Sequence, residues 1–293
     1  MRNYILKLKI ISIFLIIFSG TFCFVEISRA NVAVPWSSTF NCADWAQGDT
    51  WPPSGGCDGM DLINDGWYPT CSNKPSGKSE INVSLNNPLG TGKGMRQVIG
   101  DGSNSQGAAP RITFTSSHGE IWMRWYVRYE AGFVLSTVGH TTYHKYAYIR
   151  FSPSSFSKVF DILGNTWSLT HQGCDSGGND YGGTGFTGMN SGSVGDGQWH
   201  SVEIHVKIET SGNNGIFEAW MDGVQQMDIH DTNYCGTPIT SLTLGTNQSW
   251  PTNNNCAYFD YDDIALSTTG YIGPLLAAPD TTPPAAPQGA TVN

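Results

Sequence analysis

"EIWMRWYVRYE", Glu120 to Glu130, decides the fold. Its residues alternate. Ile121, Met123, Trp125, Val127 and Tyr129 fall on one side, and Trp122, Arg124, Tyr126 and Arg128 on the other. A period of two is the mark of a strand that buries one face. The same pattern recurs on either side. "HKYAYIRF" (144–151) sets Ala147, Ile149 and Phe151 inward and His144, Tyr146, Tyr148 and Arg150 outward. "SVEIHVKIE" (201–209) sets Val202, Ile204, Val206 and Ile208 inward and Glu203, His205 and Lys207 outward. "GIFEAWMDG" and "YFDYDDIALS" continue the pattern, with Trp220 outward and Asp222-Gly223 read as a hairpin turn. No helical period of useful length follows Ala30. Alternating strands joined by turn signals point to an all-β fold, an antiparallel β-sandwich of two sheets.

Composition agrees. The 293 residues include 35 Gly, 10 Trp, 12 Tyr and 13 Phe, while charged residues are only 13%. About 25% is usual, and a helical bundle would need more. The net charge of −9 argues against a nucleic-acid partner, whose phosphates demand excess Lys and Arg.

The charge is unevenly spread. Residues 66–160 hold ten basic residues against four acidic, whereas residues 208–293 hold nine acids and no Lys or Arg. Two consequences stay open. The basic third can clamp an anionic polymer, or its cations can pair across strands with the acidic C-terminal part.

The first thirty residues read as a signal peptide: Arg2, Lys7 and Lys9, then an apolar run from Ile10 to Val25, then Ser28 and Ala30. The run is shorter than the roughly 20 residues of a spanning helix, so the chain is expected outside the cell, with no membrane contact after cleavage. Removal leaves 11 basic and 23 acidic residues and six cysteines: Cys42, Cys57, Cys71, Cys174, Cys235 and Cys256. In an exported chain these read as disulfides, with Cys235–Cys256 the one expected pair.

Residues 31–78 read as an irregular, Cys-rich segment packed on the sandwich, which spans 79–276. Gly173 to Gly197, with ten glycines, reads as a long loop over one face. Residues 277–293, "APDTTPPAAPQGATVN" and the residue before it, read as a Pro/Thr-rich linker toward a further domain.

"GQWHSVEIHVKIETSGNNGIFEAWMDGV" (197–224) opens one strand on Trp-His and closes the next on Asp-Gly. It resembles the laminin-G-like members of the concanavalin A-like lectin/glucanase superfamily. The closing "YFDYDDIALSTTGYIGP" (258–274) looks like the last strand of polysaccharide-lyase-like members. The linker is similar to those that precede fibronectin type III domains. The resemblance covers roughly residues 81–274 and implies a jelly roll that binds a polysaccharide on a concave face.

Three functions follow from it: recognition of an extracellular polysaccharide, cleavage of a uronic-acid polymer by β-elimination, or adhesion to protein partners. Hydrolysis needs two carboxylates flanking the bond. The paired Glu-x-Asp-x-Glu strand that the superfamily's hydrolases present is missing, so a lyase is favoured over a hydrolase. A lyase must neutralise a uronate, take the adjacent proton and protonate the leaving oxygen. Arg124 or Arg128 suits the first task, and His144, Tyr146 or Tyr148 the proton transfers. Trp122, Tyr126, Arg150, His205, Lys207, Trp220 and Trp250 are candidate ligand contacts, the tryptophans as stacking platforms. Asp260, Asp262 and Asp263 are candidate ligands for a structural calcium. His118, His171 and His230 carry no pattern.

Overall fold

The computed structural model describes residues 31–43, 46, 80–82, 92–99, 111–133, 143–151, 157–163, 166–171, 184–245 and 257–275. Among them, two antiparallel sheets face each other. The eight-stranded sheet runs β12 (Val224–Thr232), β11 (Gly215–Met221), β10 (His200–Lys207), β5 (Glu120–Tyr129), β14 (Ala257–Ser267), β3 (Gly94–Ile99), β2 (Glu80–Asn82). Its eighth strand, β1 (Trp36–Ser38), pairs with β14. The six-stranded sheet runs β4 (Arg111–His118), β13 (Ile239–Leu244), β6 (Tyr143–Phe151), β7 (Ser157–Leu163), β8 (Thr166–His171), β9 (Thr184–Ser193).

The alternation in β5 is what closes the core. Ile121, Met123, Trp125, Val127 and Tyr129 are fully buried and meet Ala147, Ile149 and Phe151 of β6, Leu242 and Leu244 of β13, and Val202, Ile204 and Val206 of β10 in one apolar cluster. Each such side chain, removed from water, contributes about 1.5–3 kcal/mol. β11 reads buried and half-buried in strict alternation. Its turn into β12 places Asp222 at φ 52° and Gly223 at φ 78°, the two positive values a type I′ hairpin requires.

One expectation is corrected here. Residues 184–193 are not loop but β9, the outer strand beside β8, followed by a 3-10 turn at Val194–Asp196. Register shifts at Thr166/Ser168 and Leu169/His171 accompany the pairing. Glycine-rich chain has no side-chain alternation to betray a strand, so its pairing is invisible to periodicity. Cys42 and Cys235 each take part in a disulfide, while Cys256 lies outside the described residues. No helix among the described residues is long and apolar enough to cross a membrane.

Candidate functional site

The outer face of the eight-stranded sheet gathers most of the residues singled out from the sequence, and it is already internally satisfied. Asp260, 3% exposed, accepts from Arg96 Nε at 2.7 Å and from Arg128 Nη2 at 2.8 Å. Arg124, 7% exposed, donates to the carbonyls of Gly273 at 2.9 Å and Asp263 at 3.4 Å. Tyr126 accepts from Leu275 N at 2.8 Å, and Glu203 accepts from Ile272 N and Gly273 N at 2.7 and 2.8 Å. Residues 271–275 therefore lie over β5 and β10, tied down by Arg124, Tyr126 and Glu203. His205 bridges Glu218 at 2.6 Å and Glu120 at 3.0 Å, and Trp122 stacks on its ring at 4.0 Å. Lys207 Nζ lies 3.0 Å from Glu120. Trp220 packs beside Tyr271, while Trp250 lies outside the described residues. Of the two readings of the basic third, cross-strand pairing describes this face.

His200, from the Trp-His pair, is held by Asp222 at 2.7 Å and Asp196 at 3.1 Å, with Trp167 edge-on at 5.5 Å. Burial by itself lowers its pKa, but the two carboxylates outweigh burial and raise it.

The structure also corrects the grouping of Arg124 and Arg128 with His144, Tyr146 and Tyr148. The arginines stand on β5 of one sheet and the other three on β6 of the opposite sheet, so their outward faces are opposite surfaces of the sandwich. In β6 a register shift between Lys145 and Ala147 sets one extra residue against β7. The side chains of His144, Tyr146 and Tyr148 lie outside the described set.

The outer face of the six-stranded sheet is different. Register sets Thr243 between Arg111 on one side and Tyr148 on the other, and Ser241 between Thr113 and Arg150. These positions alternate with buried Ile112, Phe114, Leu242, Leu244, Ile149 and Phe151. Two adjacent rows thus hold two guanidinium groups and three hydroxyls, with Tyr148 in register at the end of the first. Oγ1 of Thr243 is buried with no hydrogen-bond partner among the described residues. Such an atom costs roughly 1–3 kcal/mol. Arg111, Thr113, Ser241 and Thr243 escaped the sequence reading. "RITF" and "TSLTL" do alternate, but only pairing brings them beside Arg150.

The proposed calcium ligands divide. Asp260 is committed to Arg96 and Arg128. Asp262 and Asp263 sit at a register shift in β14, where pairing with β3 ends at Tyr261 and pairing with β1 begins at Ile264. Asp263 adopts φ 45°, and its Oδ2 is buried without a hydrogen-bond partner among the described residues. Burial first, and then repulsion from Asp263 and Asp260, pushes the Asp262 carboxyl up to about 8. Two buried carboxyls with an unmatched oxygen fit a hard cation.

The chain matches the model of the polysaccharide lyase family over residues 89–261. It is similar in structure to an endo-β-1,4-glucuronan lyase from the fungus Trichoderma reesei, with 16% identity and a TM-score of 0.51 over 72% of this chain and 94% of that one. It is also similar to a mutant of alginate lyase Aly36B in complex with an alginate trisaccharide, with 16% identity and a TM-score of 0.52 over 81% of this chain and 100% of that one. At such identity the likeness speaks for the fold, a two-sheet jelly roll. No curated protein matches. With its family model matched across the strands of both sheets, from β3 into β14, the chain belongs to the polysaccharide lyase family.

Proposed function

We propose that the chain is an exported lyase that binds a uronic-acid polysaccharide across the outer face of the six-stranded sheet and cleaves it by β-elimination. The observation that supports this most is the pair of cross-strand rows, Arg111–Thr243–Tyr148 and Thr113–Ser241–Arg150. Arg111 and Arg150 supply the positive charge that neutralises the uronate carboxylate and makes the neighbouring C–H acidic. Tyr148, two residues from Arg150 on β6 and across β13 from Arg111, takes that proton. The electron pair forms the new C=C bond as the glycosidic C–O bond breaks, and the proton is returned to the leaving oxygen. The half-buried Thr113 hydroxyl suits a sugar hydroxyl, while Ser241 and Thr243 lie buried beneath the rows. A calcium ion at Asp262 and Asp263 completes the reading, as a structural support on the other sheet that takes no part in these steps. Residues 1–30 serve as signal peptide and residues 277–293 as linker in the same reading.

The test is to incubate the mature protein with glucuronan, alginate and heparin and to follow the ultraviolet absorbance of the unsaturated product. A rise on at least one polymer is expected. No rise on any of them, with glycan binding retained on an array, replaces the lyase with a non-catalytic recognition module. Loss of all glycan binding leaves adhesion to protein partners.

A further inference from the structure

We propose a second saccharide-binding surface, for neutral sugar chains, on the eight-stranded side of the sandwich, centred on Tyr271 and Trp36. A groove of about 590 Å³ opens there, lined by Pro35, Trp36, Leu266, Ser267, Thr269 and Tyr271 among others. That size falls within the usual range for ligand sites. Among the described residues, no charged one lines the groove. Tyr271 offers an exposed aromatic ring, Trp36 lines the groove while packing on the core, and Ser267 and Thr269 add hydroxyls. A sugar ring presents the complementary chemistry, an apolar C–H face with hydroxyls at its edge.

Tyr271 is 48% exposed, and among the described residues only Val224 is another large exposed apolar side chain. The ring is nevertheless held in place. Trp220 packs beside it at 4.9 Å and 50°. The following backbone is pinned from below, Ile272 and Gly273 by the Glu203 carboxylate and Gly273 O by Arg124. The buried groups on this sheet thus serve to hold an aromatic platform, and a rigid platform loses little entropy when a ligand stacks on it.

Charge selects the class of sugar. Beneath the platform lies the Glu203 carboxylate, and residues 208–293 contribute no Lys or Arg to draw in a uronate. Arg124 is turned to backbone carbonyls instead. A neutral chain meets no such penalty, so this surface differs in ligand from the cationic rows on the opposite sheet.

Affinity electrophoresis of the full mature chain in gels containing xyloglucan, glucomannan or hydroxyethyl cellulose tests this. Retardation by at least one neutral polymer is expected. Tyr271→Ala should bind about tenfold more weakly, the equivalent of one lost stacking contact, while Tyr271→Phe stays within about twofold. Absence of retardation in all three gels overturns the proposal, as does equal retardation of Tyr271→Ala. Retention that depends on Tyr271 in a glucuronan gel but in no neutral gel overturns it too. Should Tyr271→Ala fail to fold, the wild-type Tyr271 ring signal is followed by NMR during titration with a neutral oligosaccharide, where an unmoved signal has the same force.

Discussion

Arg128 and Asp260 stand directly opposite each other on β5 and β14, Nη2 2.8 Å from Oδ2, and the same carboxylate holds Arg96 at 2.7 Å. Removing the carboxylate strands two cations on one sheet. Asp260→Asn should cost about 2–3 kcal/mol in urea unfolding, at the low end for a broken buried pair because both arginines keep some contact with water. Arg128→Met should cost less and leave polymer cleavage per folded molecule unchanged. An Asp260→Asn protein as stable as wild type contradicts this account of the face.

Tyr148→Phe keeps the ring and removes the phenol. If Tyr148 carries the proton, turnover on the preferred uronate polymer falls by about 10²–10⁴ with an unchanged melting temperature. Arg150→Ala should instead weaken both turnover and KM, since a neutralising cation acts on bound and reacting polymer alike. A Tyr148→Phe enzyme with full turnover removes the phenol from the reaction.

His200 gives the fold a pH dependence of known sign. Its pKa is raised on folding by Asp222 and Asp196 against the pull of burial. Its contribution is therefore fully present below the unfolded value of about 6.5 and disappears as pH rises through the raised folded value. Denaturation midpoints should fall as pH rises from about 6.5 through the raised folded value, with part of the ion pairing screened at the half-exposed Asp222. Asp222→Asn should flatten that slope. An equal slope in the variant excludes the pair as its source.

Calcium should raise the melting temperature of the wild-type protein, and a chelator should lower it again. In Asp262→Asn the shift should shrink or vanish, while the variant without calcium should equal or exceed wild type, because one buried carboxyl has gone. A melting temperature indifferent to calcium removes the ion from the Asp262–Asp263 seam.

What the sequence could tell about this molecule followed the range of each signal. The faces of β5 and β11 were legible because alternation is local: every second residue of Ile121 to Tyr129 is buried, as its pattern implies. Sheet membership was not. Arg124 and Tyr148 both read as outward, yet only hydrogen bonding to partners about a hundred residues away assigns one to each sheet. The extra residue between Lys145 and Ala147 leaves no trace in composition, so the register shift in β6 was not legible. Arg111 was passed over for the same reason. Its neighbour Tyr148 is created by β13 lying between the two strands, a fact of topology and not of spacing.

β14, the last of the described strands in the chain, lies in the interior of its sheet, hydrogen-bonded to β5 on one side and to β3 and β1 on the other. The strands made before it therefore wait for a central partner. Until residue 267 is available, β5 and β3 expose the edges that β14 will join, and these late, long-range pairings make folding slow. A domain whose central strand comes last of its own strands commits to its structure only after that strand has paired, and its sheet stays open at the middle until then.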